Sequence, residues 1–91
     1  IRWNECNPAF IEKVSMTGRP FYTRLVPTGL SRVPGLAEGL AGGASVLEPA
    51  CGVGIGLVRI AQTYQGVTVV GVDGDASSLK AADDRIGQAE L

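Results

Sequence analysis

The sequence predicts an α/β fold: a helical lead over residues 1–42, then the opening β-α-β-α units of a parallel sheet over residues 43–91. Three observations predict it. A short run, Ser45-Val46-Leu47-Glu48, passes straight into a glycine-rich stretch and then a helical pattern. A second run, Val67 to Val72, is almost continuously β-branched, as expected of a strand covered on both faces. After it, Leu79, Ala82 and Ile86 recur at spacings of three and four, which marks an amphipathic helix.

The lead is broken by Pro8, Pro20, Pro27 and Pro34. Asn7 suits the N-cap of a first helix and Pro8 its first position, where a missing N–H costs nothing. Phe10, Ile11 and Val14 recur at helical spacing up to Met16, and Gly18 ends the run. Pro20 opens a second short helix with Phe21, Leu25 and Val26 on one face, and Pro27 is expected to break it. A third helix is expected from Thr28 to Leu40, bent at Pro34-Gly35, with Leu30, Val33, Leu36 and Leu40 as its apolar set. The chain then divides near Gly42-Gly43. In the second part, Gly56 to Tyr64 reads as a helix with Leu57, Ile60 and Ala61 inward, stopped at Gln65-Gly66. Asp75 can cap the last helix.

Bulk composition narrows the function classes. The chain is 45% hydrophobic and 19% charged with net charge −1, so it carries no basic stripe for nucleic acid. Two cysteines, Cys6 and Cys51, are too few for a disulfide scaffold, and with no histidine there is neither a zinc set nor an imidazole base. No signal peptide pattern and no apolar run of about 18 residues is visible, so a cytoplasmic setting without membrane attachment is expected. The start at Ile1 without methionine, and the stop at Leu91 where a helix should end, suggest a segment of a longer protein.

The chemistry concentrates in Glu48-Pro49-Ala50-Cys51-Gly52-Val53-Gly54-Ile55-Gly56. Glycines let the backbone turn tightly and approach a ligand without Cβ atoms in the way. The helix that follows points its unpaired N–H groups at that ligand. About 20 residues on, Gly71-Val72-Asp73 places an acid where it can accept both hydroxyls of a ribose. A GxG alone proves little in a chain with 13 glycines. Strand, acid, glycine loop, helix, strand and acid in that order point to a nucleotide. The dinucleotide pattern GxGxxG fails here, because its third glycine position is Leu57 and the glycine falls early, at Gly56. Glu48 would also repel a pyrophosphate, whereas it suits a ligand bearing an amino group.

Val46-Leu47-Glu48-Pro49-Ala50-Cys51-Gly52-Val53-Gly54 resembles the first motif of the class I S-adenosylmethionine (SAM) dependent methyltransferases, and Gly71-Val72-Asp73 resembles the second. Asp75, Leu79, Ala82 and Arg85 fit the helix that usually follows, while Val33-Pro34-Gly35-Leu36 and Gly43-Ala44 are similar to the lead-in of small-molecule methyltransferases. Ala50, where the family has a glycine, and Pro49 at the strand exit depart mildly from the pattern. The resemblance implies the first half of a Rossmann-like SAM-binding domain over residues 43–91, acting on a small-molecule methyl acceptor. By the same resemblance, Glu48 organises the methionine end. Ala50, Gly52 and Gly54 give close backbone approach, with Cys51 offering main-chain contact. Asp73 holds the ribose, and Gly74 lies beside the adenosine. Tyr22 and Arg24 are candidates for the methionine carboxylate, against a reading in which Tyr22 packs on the core and Arg24 is solvated.

Other residues carry less. Cys51 has no histidine partner and reads as a buried structural thiol rather than a nucleophile. Trp3 reads as a packing or lid residue, and Asp83-Asp84 as a wet helix face rather than a metal site. No catalytic residue is assigned; adenine contacts and any base are expected beyond Leu91. The segment by itself is expected to be inactive and to expose apolar faces that favour self-association. A nicotinamide-dependent oxidoreductase fragment, or a non-catalytic regulatory or assembly module, are the alternatives.

Overall fold

A computed structural model describes residues 5–89 and 91, so Trp3 lies outside the described residues. Helix α1 (Pro8–Met16) starts as Asn7 and Pro8 dictate: the Asn7 Oδ1 accepts the Ala9 N–H at 2.8 Å. Of its apolar residues only Ile11 is buried, and Phe10 and Val14 stay exposed.

Helix α2 (Arg19–Arg24) does not end at Pro27. It runs on as a π-type turn (Leu25–Gly29) and a 3₁₀ turn (Leu30–Arg32), which corrects the expected break and the expected helix from Thr28. Proline has no N–H to give, and its ring crowds the carbonyl one turn back. Here the chain widens instead of stopping, and the Leu30 N–H reaches back to the Leu25 carbonyl. Val26, fully buried, anchors the widened turn, and its carbonyl accepts the Tyr64 hydroxyl at 3.3 Å. The real break comes at Val33, which is extended, and Gly35, at φ 80°. Only then does α3 (Leu36–Ala41) begin, so the expected third helix is reduced to its second half.

Strands β1 (Ser45–Pro49) and β2 (Thr68–Val72) pair in parallel, with Ser45 opposite Thr68 and Pro49 opposite Val72. Helix α4 (Ile55–Thr63) makes the crossover, as parallel pairing requires. Helix α5 (Ala76–Gln88) follows β2, capped by Asp75, whose Oδ2 accepts the Ser78 N–H and the hydroxyls of Ser77 and Ser78. The architecture is therefore α/β with a two-stranded parallel sheet.

The sheet is covered on one face only. Val46, Glu48, Val69 and Gly71 are half-buried, while Leu47 is 64% exposed, Val70 52% and Val72 46%. This corrects the expectation that β2 is covered on both faces. An all-apolar run reads as doubly covered, but among the described residues nothing packs on the second face. No helix among the described residues is long and apolar enough to cross a membrane.

Candidate functional site

The loop between β1 and α4 owes its shape to three left-handed residues: Ala50 (φ 55°), Gly52 (φ 57°) and Gly54 (φ 84°). Ala50 is the non-glycine residue with positive φ among those described, at the position where the resembled motif has a glycine. That conformation costs an L-residue roughly 1–2 kcal/mol. At Gly52 a Cβ would meet nothing within 4 Å, so its surface is open to an approaching group. Gly54 differs, because a Cβ there would stand 3.0 Å from the Ala82 Cβ, which makes it the point where the loop packs on α5.

Parallel pairing brings Glu48 and Asp73 to the same end of adjacent strands, on either side of the loop. Asp73 holds that loop in place. Its Oδ2 accepts the Gly52 N–H at 2.8 Å and its Oδ1 accepts the Asp75 N–H at 2.9 Å. A carboxylate offers about four lone-pair sites, so each oxygen keeps further acceptor capacity. Gly74, between these two acids, is exposed with open space around it.

Tyr22 reaches this end of the sheet from α2. Its hydroxyl donates to the Glu48 Oε1 at 3.1 Å, and its ring lies over Gly56, where a Cβ would stand only 2.6 Å from it. Gly56 thus permits the lead to close on the loop, a use its sequence position did not reveal. The Glu48 Oε2 is buried with no hydrogen-bond partner among the described residues. Burial pushes the Glu48 carboxyl above its ordinary range, opposed by the Tyr22 hydrogen bond. Burial likewise raises the Tyr22 phenol, and the Glu48 charge adds to it. Burial also raises the buried Cys51 thiol, reinforced by Asp73 and Glu48, which keeps the sulfur out of its nucleophilic thiolate form. Asp75 moves the other way, held below the usual carboxylate range by the Ser78 and Ser77 hydroxyls.

Arg85 joins the lead to the loop. Its Nε donates to the Val53 carbonyl at 3.1 Å and its Nη2 to the Glu12 Oε1 at 2.7 Å. Arg24 is not brought to the loop; it is exposed and lines a separate surface hollow with Pro20, Phe21 and Leu25. Of the candidate residues, then, Tyr22, Glu48, Ala50, Cys51, Gly52, Gly54, Asp73 and Gly74 gather at one end of the sheet. The contact between Tyr22 and Glu48, 26 residues apart, has no signal in a local motif.

A hollow of about 240 Å³ lies between the lead and the loop, lined by Val14, Ser15, Gly18, Tyr22, Gly52 and Gly56 among others. Small-molecule pockets run to roughly 300–1,000 Å³, so it suits one end of a ligand. The larger hollow beneath α5, about 450 Å³, is bounded by Leu57, Val69, Leu79 and Ile86 and has few polar groups to orient a ligand. Among the described residues no three His, Cys, Asp or Glu side chains group as a metal site. Asp83 and Asp84 are both exposed. No protein-family model and no curated protein matches this chain.

Proposed function

We propose that the chain forms the first half of a Rossmann-like SAM site in a methyltransferase acting on a small-molecule acceptor. The observation that carries this reading is the pair of acids, Glu48 and Asp73, set at adjacent parallel strand ends across a left-handed, glycine-built loop. Ligands of open parallel sheets bind at this end of the strands.

The residues fit the group. The buried Glu48 Oε2 lacks a donor, and the ammonium of the methionine end is one. Gly52 and Gly74 present bare backbone where a Cβ would meet nothing, and Asp73, between them in the fold, would accept the ribose hydroxyls. SAM, when bound, supplies a methyl group on a sulfonium, whose thioether leaves as an acceptor oxygen, nitrogen or carbon attacks in line. This chain's share is positioning: Glu48 and Asp73 hold two ends of one ligand, and Tyr22 closes over the loop. The hollow of about 240 Å³ takes the methionine end only, so the acceptor pocket belongs to further structure. The bare face of the sheet would be covered by that structure, or by a second copy.

Calorimetry on the full chain with SAM, S-adenosylhomocysteine and NAD tests the reading. Binding of the first two is expected, and tight NAD binding with no SAM response would overturn it. Asp73→Ala should weaken SAM about 10-fold or more through the loss of charge-assisted bonds. A melting curve without SAM separates that loss from the loosened Gly52 N–H contact. Unchanged affinity would place the ribose elsewhere.

A further inference from the structure

We propose that the hollow between α2, α4 and the end of α5 binds a phosphate monoester. About 260 Å³ in volume, it is lined by Arg19, Arg59 and Arg85 together with Thr23, Gln62 and Gln88, and by no acidic side chain among the described residues. Three guanidiniums around one hollow repel each other unless something negative balances them.

Only part of that balance is present. Arg85 is ion-paired with Glu12 at 2.7 Å and donates to the Val53 carbonyl, so its charge is met. Arg19 and Arg59 have no ion pair among the described residues. In addition, the Arg59 Nε is buried with no hydrogen-bond partner among them. A buried cationic N–H without an acceptor is costly, and folded proteins satisfy nearly all such groups. An anionic ligand seated in the hollow would supply that acceptor as a charge-assisted bond.

The charge count selects the class. Two unbalanced guanidiniums match a phosphate monoester, which carries about −1.5 to −2 at pH 7. A carboxylate or a phosphate diester, at −1, would leave one cation unmet. The planar guanidinium fork pairs with two phosphate oxygens at once, and the amides of Gln62 and Gln88 supply neutral donors beside it. The hollow adjoins the proposed methyl-donor site, sharing Tyr22 and Ile55 with it, but its charged groups are not those of that site: it uses neither Glu48, nor Asp73, nor the glycines of the loop. Either can fail without the other.

The test is calorimetry on the full chain at pH 7.5 and constant ionic strength, with glycerol phosphate, dimethyl phosphate and acetate as probes. Saturable binding of glycerol phosphate is expected, at least about 10-fold tighter than that of either monoanion. Arg19→Gln and Arg59→Gln should each weaken it about 10-fold or more, while Arg32→Gln, exposed on the 3₁₀ turn, should leave it unchanged. Arg59→Lys guards against misfolding. It keeps the charge but loses the fork, and should weaken binding several-fold with the melting curve retained. Absence of saturable binding in the wild type, equal binding of all three probes, or affinity unmoved by both Arg19→Gln and Arg59→Gln would each overturn the proposal.

Discussion

Burial raises the Glu48 carboxyl while the Tyr22 hydroxyl pulls it back, so removing that hydroxyl should raise it further. In Tyr22→Phe, the Glu48 titration followed by carbon NMR is expected to move to higher pH, and an unmoved midpoint would mean the hydrogen bond is not formed in solution. The sign for stability follows from the raised value. Glu48 favours the folded state fully below its unfolded pKa, and that contribution is lost as pH rises through the folded one. Glu48→Gln should accordingly melt higher than the wild type at pH 8, with the gap closing toward pH 4. Ala50 offers a second test at this scale. Its left-handed backbone strain is relieved by glycine, less the entropy glycine adds to the unfolded chain, so Ala50→Gly should stabilise by about 0.5–1 kcal/mol in denaturant melts. Destabilisation would mean that Ala50 does not keep this conformation.

Elements were legible wherever local chemistry decides them. Asn7-Pro8 opened α1, Asp75 capped α5, and the apolar runs marked β1 and β2 to within a residue at each end. The Pro27 turn was not legible, because a proline signals that an α-helix cannot continue unchanged but not whether the chain stops or widens. A buried Val26 decided it, and burial is a tertiary fact. At the site, the acids and glycines could be read from their order. The roles of Asp73 as a loop tie, Gly56 as a seat for Tyr22 and Arg85 as a bridge depend on contacts distant in sequence. The Arg85 bridge is testable as an element-level effect. Glu12→Gln removes a partly exposed ion pair worth about 0.2–1 kcal/mol. Arg85→Gln also loses a charged bond to the Val53 carbonyl, for a total of about 2–3 kcal/mol, and should speed hydrogen exchange in both α1 and the glycine loop. Equal effects of the two variants would show that the loop contact contributes nothing.

At the scale of the molecule, the radius of gyration is 13.6 Å, above the roughly 12 Å expected for a closed domain of this length, and the long axis is 41 Å. Among the described residues, the bare sheet face and two unpaired strand edges are what such an open shape leaves over. Leu47, Val70 and Val72 should drive self-association of the isolated chain, seen as a light-scattering mass that rises with concentration. Leu47→Lys with Val70→Lys should reduce it, and a constant monomer mass for the wild type would defeat the expectation. The widened turn at Pro27 has a different kind of consequence for the assembled chain. It places one surplus residue in a helical path, and each residue turns an α-helix by about 100°. That surplus sets the phase between the lead and the sheet, and hence the direction from which Tyr22 meets Glu48. The contact at the strand ends is therefore specified partly by a count of residues, which a scan of substitutions leaves untouched and a single deletion would change.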